Sequence, residues 1–241
     1  YAIEDVFSNE SYLKEQEKKY FNIPHYQRGY KWEPKNAIKL LEDIDNFEIA
    51  NNKFYCLQNI TIVAKDDYFN VIDGQQRLTT LTILLAILDN KELVFNKVRF
   101  PENSIRKQTN KFLNEIITNN KVDFPQNSWE AFSEKNPNYD HQDIYHIYKV
   151  YEAIEIWFDE KKRLEPLFDR SAFINKLLKS VKVIVNKIDG ATSEEKVFGN
   201  LNSKRVPLDG ADLVRAILIT RVANEEGKRE SDIKNIVRVN E

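Results

Sequence analysis

The segment Asp73-Gly-Gln-Gln-Arg77 sets a carboxylate, a glycine, two side-chain amides and a guanidinium on five consecutive residues. An apolar stretch ends at Ile72 just before it, and another runs from Leu78 to Leu88 just after it. A strand that turns through Gly74 into a helix leaves the first helical N–H groups without intrahelical acceptors. Those donors, with the positive end of the helix dipole, form an anion site suited to phosphate. Gly74 lets a ligand approach the backbone closely, and Arg77 can fork onto phosphate oxygens. Gln75 and Gln76 can donate to a phosphate or orient a water. Asp73 can hold a hydrated magnesium ion, which binds through one or two carboxylates plus substrate phosphates. The plainer reading is a capped helix with a solvated polar start. Against it stands density: three long polar side chains open a helix that is otherwise apolar.

Two further segments carry polar groups in suggestive patterns. Ile23-Pro-His-Tyr-Gln-Arg-Gly-Tyr-Lys-Trp32 interleaves Gln27, Arg28 and Lys31 with Tyr26, Tyr30 and Trp32. Arginine beside aromatics suits stacking on a base with contact to phosphate. Packing of the aromatics on a sheet, with Arg28 paired to a carboxylate, explains the same residues equally well. His25 reads as a turn residue. In Val197–Leu208, Asn202 and Ser203 either cap a helix or bring Asn202 or Arg205 to face the first site.

The elements that must position these groups follow from periodicity. Phe21–Pro24 is extended, because proline disfavours helix at the preceding residue. Glu33-Pro34 opens a helix whose apolar positions are Ala37, Ile38, Leu41, Ile44 and Phe47. Phe54–Val63 and Tyr68–Ile72 read as strands joined by Lys65-Asp66-Asp67. Leu78–Leu88 is a buried helix. Beyond about residue 100 the pattern turns mostly helical, with one stripe over Ile105–Ile117 and a longer one over Ile144–Phe158. Residues 119–140, with Pro125, Pro137 and many Asn, read as a loop. Val181–Ile188 is a strand, Thr192 with Glu195 caps the next helix, and Asp209 with Asp212 starts another. The expected fold class is α+β. The expected division is residues 1–98 as an α/β core and 99–241 as a mostly helical region contributing a strand and the Asn202/Asp212 segment.

Composition narrows the function classes. Of 241 residues, 36 are Lys or Arg and 38 are Asp or Glu, for a net charge of −2. Neither half is a basic block, which argues against wholesale coating of nucleic acid. The single Cys56 excludes an intrachain disulfide framework and a thiolate zinc cluster. Only His25, His141 and His146 are available for a histidine metal site. No apolar run approaches a membrane span, and the N-terminus lacks the pattern of a signal peptide, so a reducing, cytoplasmic setting is expected. The chain has no Met, even at position 1, and reads as a processed fragment or an incomplete sequence.

Taken in order, Ile23-Pro-x-Tyr-Gln-Arg-x-Tyr-x-Trp32, Asp73-Gly-Gln-Gln-Arg-Leu-Thr-Thr-Leu81, and Phe198-x-x-Leu-Asn202 through Asp212-Leu-Val-Arg215 resemble the N-terminal domain of GmrSD-type restriction systems. This is domain-of-unknown-function family 262, and the resemblance spans roughly residues 20–220. It implies a small ParB/sulfiredoxin-like α/β core followed by a helical region. It also implies that the Asp-Gly-Gln-Gln-Arg loop binds and hydrolyses a nucleoside triphosphate with magnesium. That activity would be coupled to sensing or cutting modified phage DNA by a His-Asn-His nuclease domain in cis or trans. On this resemblance Asp73, Gln75, Gln76 and Arg77 are the expected catalytic residues, with Asp73 also the magnesium ligand. The expected nucleotide contacts are Tyr26, Gln27, Arg28, Lys31, Gly74, Gln75, Arg77, Thr79 and Asn202. The chain departs from the family in two respects. It carries no nuclease metal motif, and it lacks the glycine the family usually places after Asn202-Ser203. A non-hydrolysing nucleotide- or DNA-binding module is the alternative, as is a scaffold that docks a partner nuclease. A sulfiredoxin-like reductase is set aside, because Gln75 and Gln76 stand where a reactive cysteine is needed.

Overall fold

The computed structural model describes residues 1–8, 12–49, 53–101, 105–118, 128–188 and 193–202. Their centre is a hairpin. Strand β2 (Tyr55–Ala64) and strand β3 (Tyr68–Asp73) pair antiparallel, and Lys65 N–H closes the turn on the Tyr68 carbonyl at 2.9 Å. Strand β1 (Tyr20–Asn22) lies parallel to β3 on one side, and strand β4 (Val98–Arg99) continues the sheet beyond it. Strand β5 (Val181–Ile188) pairs parallel with β2. The order is therefore β4-β1-β3-β2-β5 in one mixed five-stranded sheet. The α+β class is as expected, and the strand at Val181–Ile188 lies where its β-branched alternation places it.

Helices cover the sheet. In chain order they are α1 (Ile3–Phe7), α2 (Tyr12–Glu15), α3 (Pro34–Asn46), α4 (Gln75–Ile87), α5 (Lys91–Val94), α6 (Lys107–Lys111), α7 (Trp129–Lys135), α8 (Gln142–Leu164), α9 (Arg170–Asn175) and α10 (Glu194–Asn202). Helix α3 starts at proline, whose missing N–H costs nothing there, and the Asn36 side chain accepts the Glu33 N–H at 2.9 Å. Helix α6 passes into a π-helical turn, Phe112–Ile117. That turn carries buried Asn114, which donates to the Val98 carbonyl at 2.9 Å and so ties the helix to β4.

Alternation along the strands sorts side chains onto two faces. Phe21, Phe69 and Val71 join the large cluster formed with α1, α3, α4 and α8. The opposite face carries Tyr26, Val63 and Ile72, covered by Val197 and Phe198 of α10. Beside them Tyr20 and Tyr68 stack at 5.3 Å across the parallel register, Asn22 donates to Asn70 at 2.7 Å, and the Arg99 guanidinium lies 4.3 Å from the Tyr20 ring centre. Helix α4 packs on every side, as an all-round apolar sequence requires. Its threonines are accommodated by donating back one turn, Thr80 to the Gln76 carbonyl and Thr82 to the Leu78 carbonyl, both at 2.9 Å.

One expectation is corrected. The stretch read as a loop up to residue 140 contains α7 and a short 3₁₀ turn, Pro137–Tyr139. Ser128 caps α7 by accepting the Ala131 N–H at 3.1 Å, and Trp129 and Phe132, three residues apart, bury one face. A capped apolar pair outweighs the local turn propensity of the surrounding Asn and Pro. The cap at Thr192 and the helix from Asp209 lie outside the described residues, as do Ser203 and Arg205.

Strand β2 contains an irregularity in its pairing with β5 between Cys56 and Asn59, and Gln58 there has φ of 57°. A non-glycine side chain in the left-handed region costs about 1–2 kcal/mol. Gln58→Gly should therefore stabilise the fold by about 1 kcal/mol, raising the melting midpoint by a few degrees for a chain of this size. A lowered midpoint in a thermal unfolding series would show that the Gln58 side chain contributes more than its backbone conformation costs.

Candidate functional site

Strand β3 ends at Asp73, and the chain reverses through Gly74 into α4. Gly74 has φ of +100°. A Cβ there would stand 3.1 Å from Ile60 Cγ1 and 3.2 Å from Ile60 Cα. Conformation and space both demand glycine. The first helical bond runs from Leu78 N–H to the Gly74 carbonyl at 3.0 Å. Helix geometry leaves the Gln75 and Gln76 N–H groups without intrahelical acceptors, at the positive end of the dipole.

The two glutamine side chains are committed to a different task from ligand donation. Gln75 Nε2 donates to the Arg28 carbonyl at 2.7 Å, and Gln76 Nε2 to the Gly29 carbonyl at 2.9 Å. Gln76 Oε1 in turn accepts the Lys31 N–H at 2.8 Å and the Trp32 N–H at 3.2 Å. Tyr30 is buried between them, its hydroxyl 2.7 Å from Thr80 Oγ1. One residue before Arg28, Gln27 Nε2 donates to the carbonyls of Val71 and Ile72 at 3.1 and 2.6 Å. The loop from Pro24 to Trp32 is thus stitched to the end of β3 and the start of α4 by three glutamines.

A second contact holds the loop from the far side. A Cβ on Gly29 would fall 1.8 Å from Asp143 Oδ1 of α8. Asp143 is anchored by Arg106 at 3.0 Å, and Arg106 Nη1 also donates to the His25 carbonyl at 3.3 Å. Burial, and then the Arg106 charge, lower the His25 pKa, while Glu195 opposes them. His146 is likewise lowered, chiefly by burial, with Asp143 and Glu33 opposing.

Arg77 is engaged on three sides. Its Nη2 donates to the Asn59 carbonyl at 2.6 Å and lies 3.3 Å from Asp73 Oδ2, and its Nη1 donates to Gln58 Oε1 at 3.0 Å. Its side chain is 11% exposed. Arg28 contrasts with it: exposed, with no ion pair or side-chain hydrogen bond among the described residues. Gln75 binds the Arg28 main chain while its side chain points into solvent. The clamp therefore ties the main chain of Arg28 to the opening of α4 and leaves its side chain exposed, without an ion pair among the described residues.

The structure brings Gln27, Arg28, Lys31, Asp73, Gly74, Gln75, Gln76 and Arg77 into one neighbourhood. Thr79 is buried one turn into α4. Tyr26 is buried as well, and its hydroxyl turns away to Glu194 of α10 at 3.0 Å. Asn202 ends α10, and its side chain lies outside what is described. Sequence reasoning missed Gln58, Arg106, Asp143 and Glu194. None has a local signal, because each reaches the loop or the turn from an element distant in the chain. Gly29, flanked by Arg28 and Tyr30, was the one available hint. Among the described residues, no group of three His, Cys, Asp or Glu could hold a metal ion. No described helix is long and apolar enough to cross a membrane.

A mixed sheet whose central hairpin feeds a glycine turn into a buried helix, with a basic aromatic loop clamped across that turn, defines an α+β domain organised around one strand–turn–helix. The chain belongs to the family described as GmrSD restriction endonuclease, N-terminal domain, whose model matches residues 3–219. It is accordingly part of a restriction-type phage-defence protein. No relative among curated proteins matches it.

Replacing Gln76 by Leu removes one donor and one acceptor and strands the Lys31 and Trp32 N–H groups. With each buried unmet group costing about 1–3 kcal/mol, Gln76→Leu should destabilise the fold by about 3 kcal/mol. The measurement is a denaturant midpoint at unchanged slope, and a shift under 1 kcal/mol would dismiss the clamp. Gly29→Ala must displace Asp143 from Arg106 and should cost about 1–3 kcal/mol, as overpacking does.

Proposed function

We propose that the chain binds a nucleoside triphosphate at the turn between β3 and α4 and hydrolyses it, within a protein whose nuclease part acts on modified phage DNA. The observation that carries this reading is that Gln75 fastens the Arg28 main chain to the amino end of α4 while the Arg28 side chain is exposed, with no ion pair among the described residues. A guanidinium on a loop tied to a helix amino end suits a terminal phosphate. The near-neutral charge of the chain fits recognition of one small anionic ligand better than tracking of a duplex.

In this reading Arg28 and the helix N–H groups take up phosphate charge. Gln75 keeps Oε1 for a water or a ligand hydroxyl, whereas Gln76 acts through the loop it holds. Arg77 stabilises charge developing on the transferring group once the ligand competes with Asp73 for its guanidinium. Asp73 supplies a single carboxylate. That donor set fits magnesium held by one protein oxygen with triphosphate oxygens and water. When bound, the ion would supply positive charge to the triphosphate. A His-Asn-His nuclease domain, in cis or in trans, is the proposed recipient of the signal.

One observation favours a second reading, a module that binds the nucleotide as a signal without hydrolysing it. Both glutamine amide nitrogens serve the loop, Arg77 is held by Asp73, and among the described residues no histidine bonds to the turn as a base would. Released phosphate separates the two when measured with ATP, GTP, CTP and UTP, with magnesium, in the presence and absence of DNA. Binding without release supports the module; no binding of any of the four ends both readings.

Arg28→Ala should weaken triphosphate binding about 10–100-fold, the worth of a charged hydrogen bond, with little change in stability because the side chain is exposed. Arg77→Ala should lower turnover by ~10³ or more. Calorimetric titration and phosphate release check the two. Wild-type affinity in the Arg28 variant would remove the central support for this site.

A further inference from the structure

We propose that Glu194 is a positioning residue that couples α10 to the triphosphate site, its carboxylate joining the helix to the loop that carries Arg28. Glu194 opens α10. Its Oε2 accepts the Tyr26 hydroxyl at 3.0 Å and Asn70 Nδ2 at 3.0 Å, and its Oε1 lies 2.6 Å from Lys65 Nζ. The side chain is 13% exposed. An acid that served only the helix dipole would gain as much facing water. Drawing this one inward costs desolvation that pairing must offset; two hydrogen bonds on Oε2 and the Lys65 ion pair on Oε1 supply that offset.

The partners explain what is being joined. Tyr26 directly precedes Gln27 and Arg28, and its ring packs edge-on against Phe198 of α10 at 5.7 Å. Asn70 lies on β3 three residues before Asp73, and it also accepts from Asn22 of β1. Lys65 belongs to the β2–β3 turn. A single carboxylate thus touches the loop, the strand that leads into the turn, and the hairpin behind it. The contact also closes the small apolar cluster of Tyr26, Val63 and Ile72 under Val197 and Phe198. Burial, and then the Glu194 charge, push the Tyr26 pKa well above the ordinary phenol range, so the hydroxyl stays a donor. Ligand binding that steadies the loop must favour docked α10, and docked α10 must favour the ligand by the same factor.

The coupling rests on the triphosphate reading above, so the test has one arm without ligand and one with it. Without ligand, amide hydrogen exchange is compared in the wild type, Glu194→Ala and Glu194→Gln. Glu194→Ala should speed exchange over residues 195–202 at least tenfold while α4 and α8 keep wild-type protection. Glu194→Gln retains an acceptor for Tyr26 and should fall between. With ligand, ATP, GTP, CTP and UTP are titrated against the same proteins. The best-bound triphosphate should lose at least fivefold in affinity in Glu194→Ala and regain part of it in Glu194→Gln. Adding that triphosphate to the wild type should slow exchange in α10. Unchanged α10 exchange in Glu194→Ala overturns the latch. Loosened α10 with unchanged affinity overturns the coupling. A wild type that binds none of the four overturns the triphosphate reading, and the coupling with it. A wild type that binds while Glu194→Ala binds equally well overturns the coupling alone.

Discussion

The four hydrogen bonds that Gln75 and Gln76 make to the main chain of Arg28, Gly29, Lys31 and Trp32 are the contact on which the rest of the site depends. A loop has no ladder to satisfy its peptide groups, and a buried unmet peptide group is costly. Here the opening turn of a buried helix supplies the missing partners. The contact is made by side chains, so the first N–H groups of the helix take no part in holding the loop.

Charge is distributed with similar economy. Arg77 and Arg106 are each paired with a nearby aspartate, Asp73 and Asp143, in largely buried pairs. Such pairs fix geometry more than they add stability. Arg28 is left outside this arrangement, and its position is set by its backbone. A chain with almost no net charge can in this way present a local cation without a basic surface. The opposite face of the sheet repeats the device with the sign reversed, where Glu194 gathers Tyr26, Asn70 and Lys65.

Much of this architecture was legible from local pattern. The β2–β3 hairpin, the proline start of α3, the buried character of α4 and the strand at β5 all follow from period and punctuation within a few residues. Gly74 was legible for the same reason, since a strand–glycine–helix turn is local. The purpose of Gln75 and Gln76 was not. Their spacing beside an apolar helix pointed to ligand donors, yet their amides face peptide groups more than forty residues earlier. The helix at Trp129–Lys135 was obscured because its cap and its apolar pair sit inside a run rich in Asn and Pro.

The sequence by itself determined the central hairpin, the helices α3 and α4, the strand β5, the residue types at the turn and the family, because these depend on neighbours along the chain. Only the tertiary structure decided which partners Arg77 and Arg106 take and that the loop carrying Arg28 is held at the turn. That outcome depends on Asp143 filling the place of a Gly29 side chain, on the left-handed Gln58 meeting Arg77, and on Glu194 crossing the chain to Tyr26. Each of these contacts joins residues distant in sequence whose desolvation is compensated only when the whole fold has closed around them.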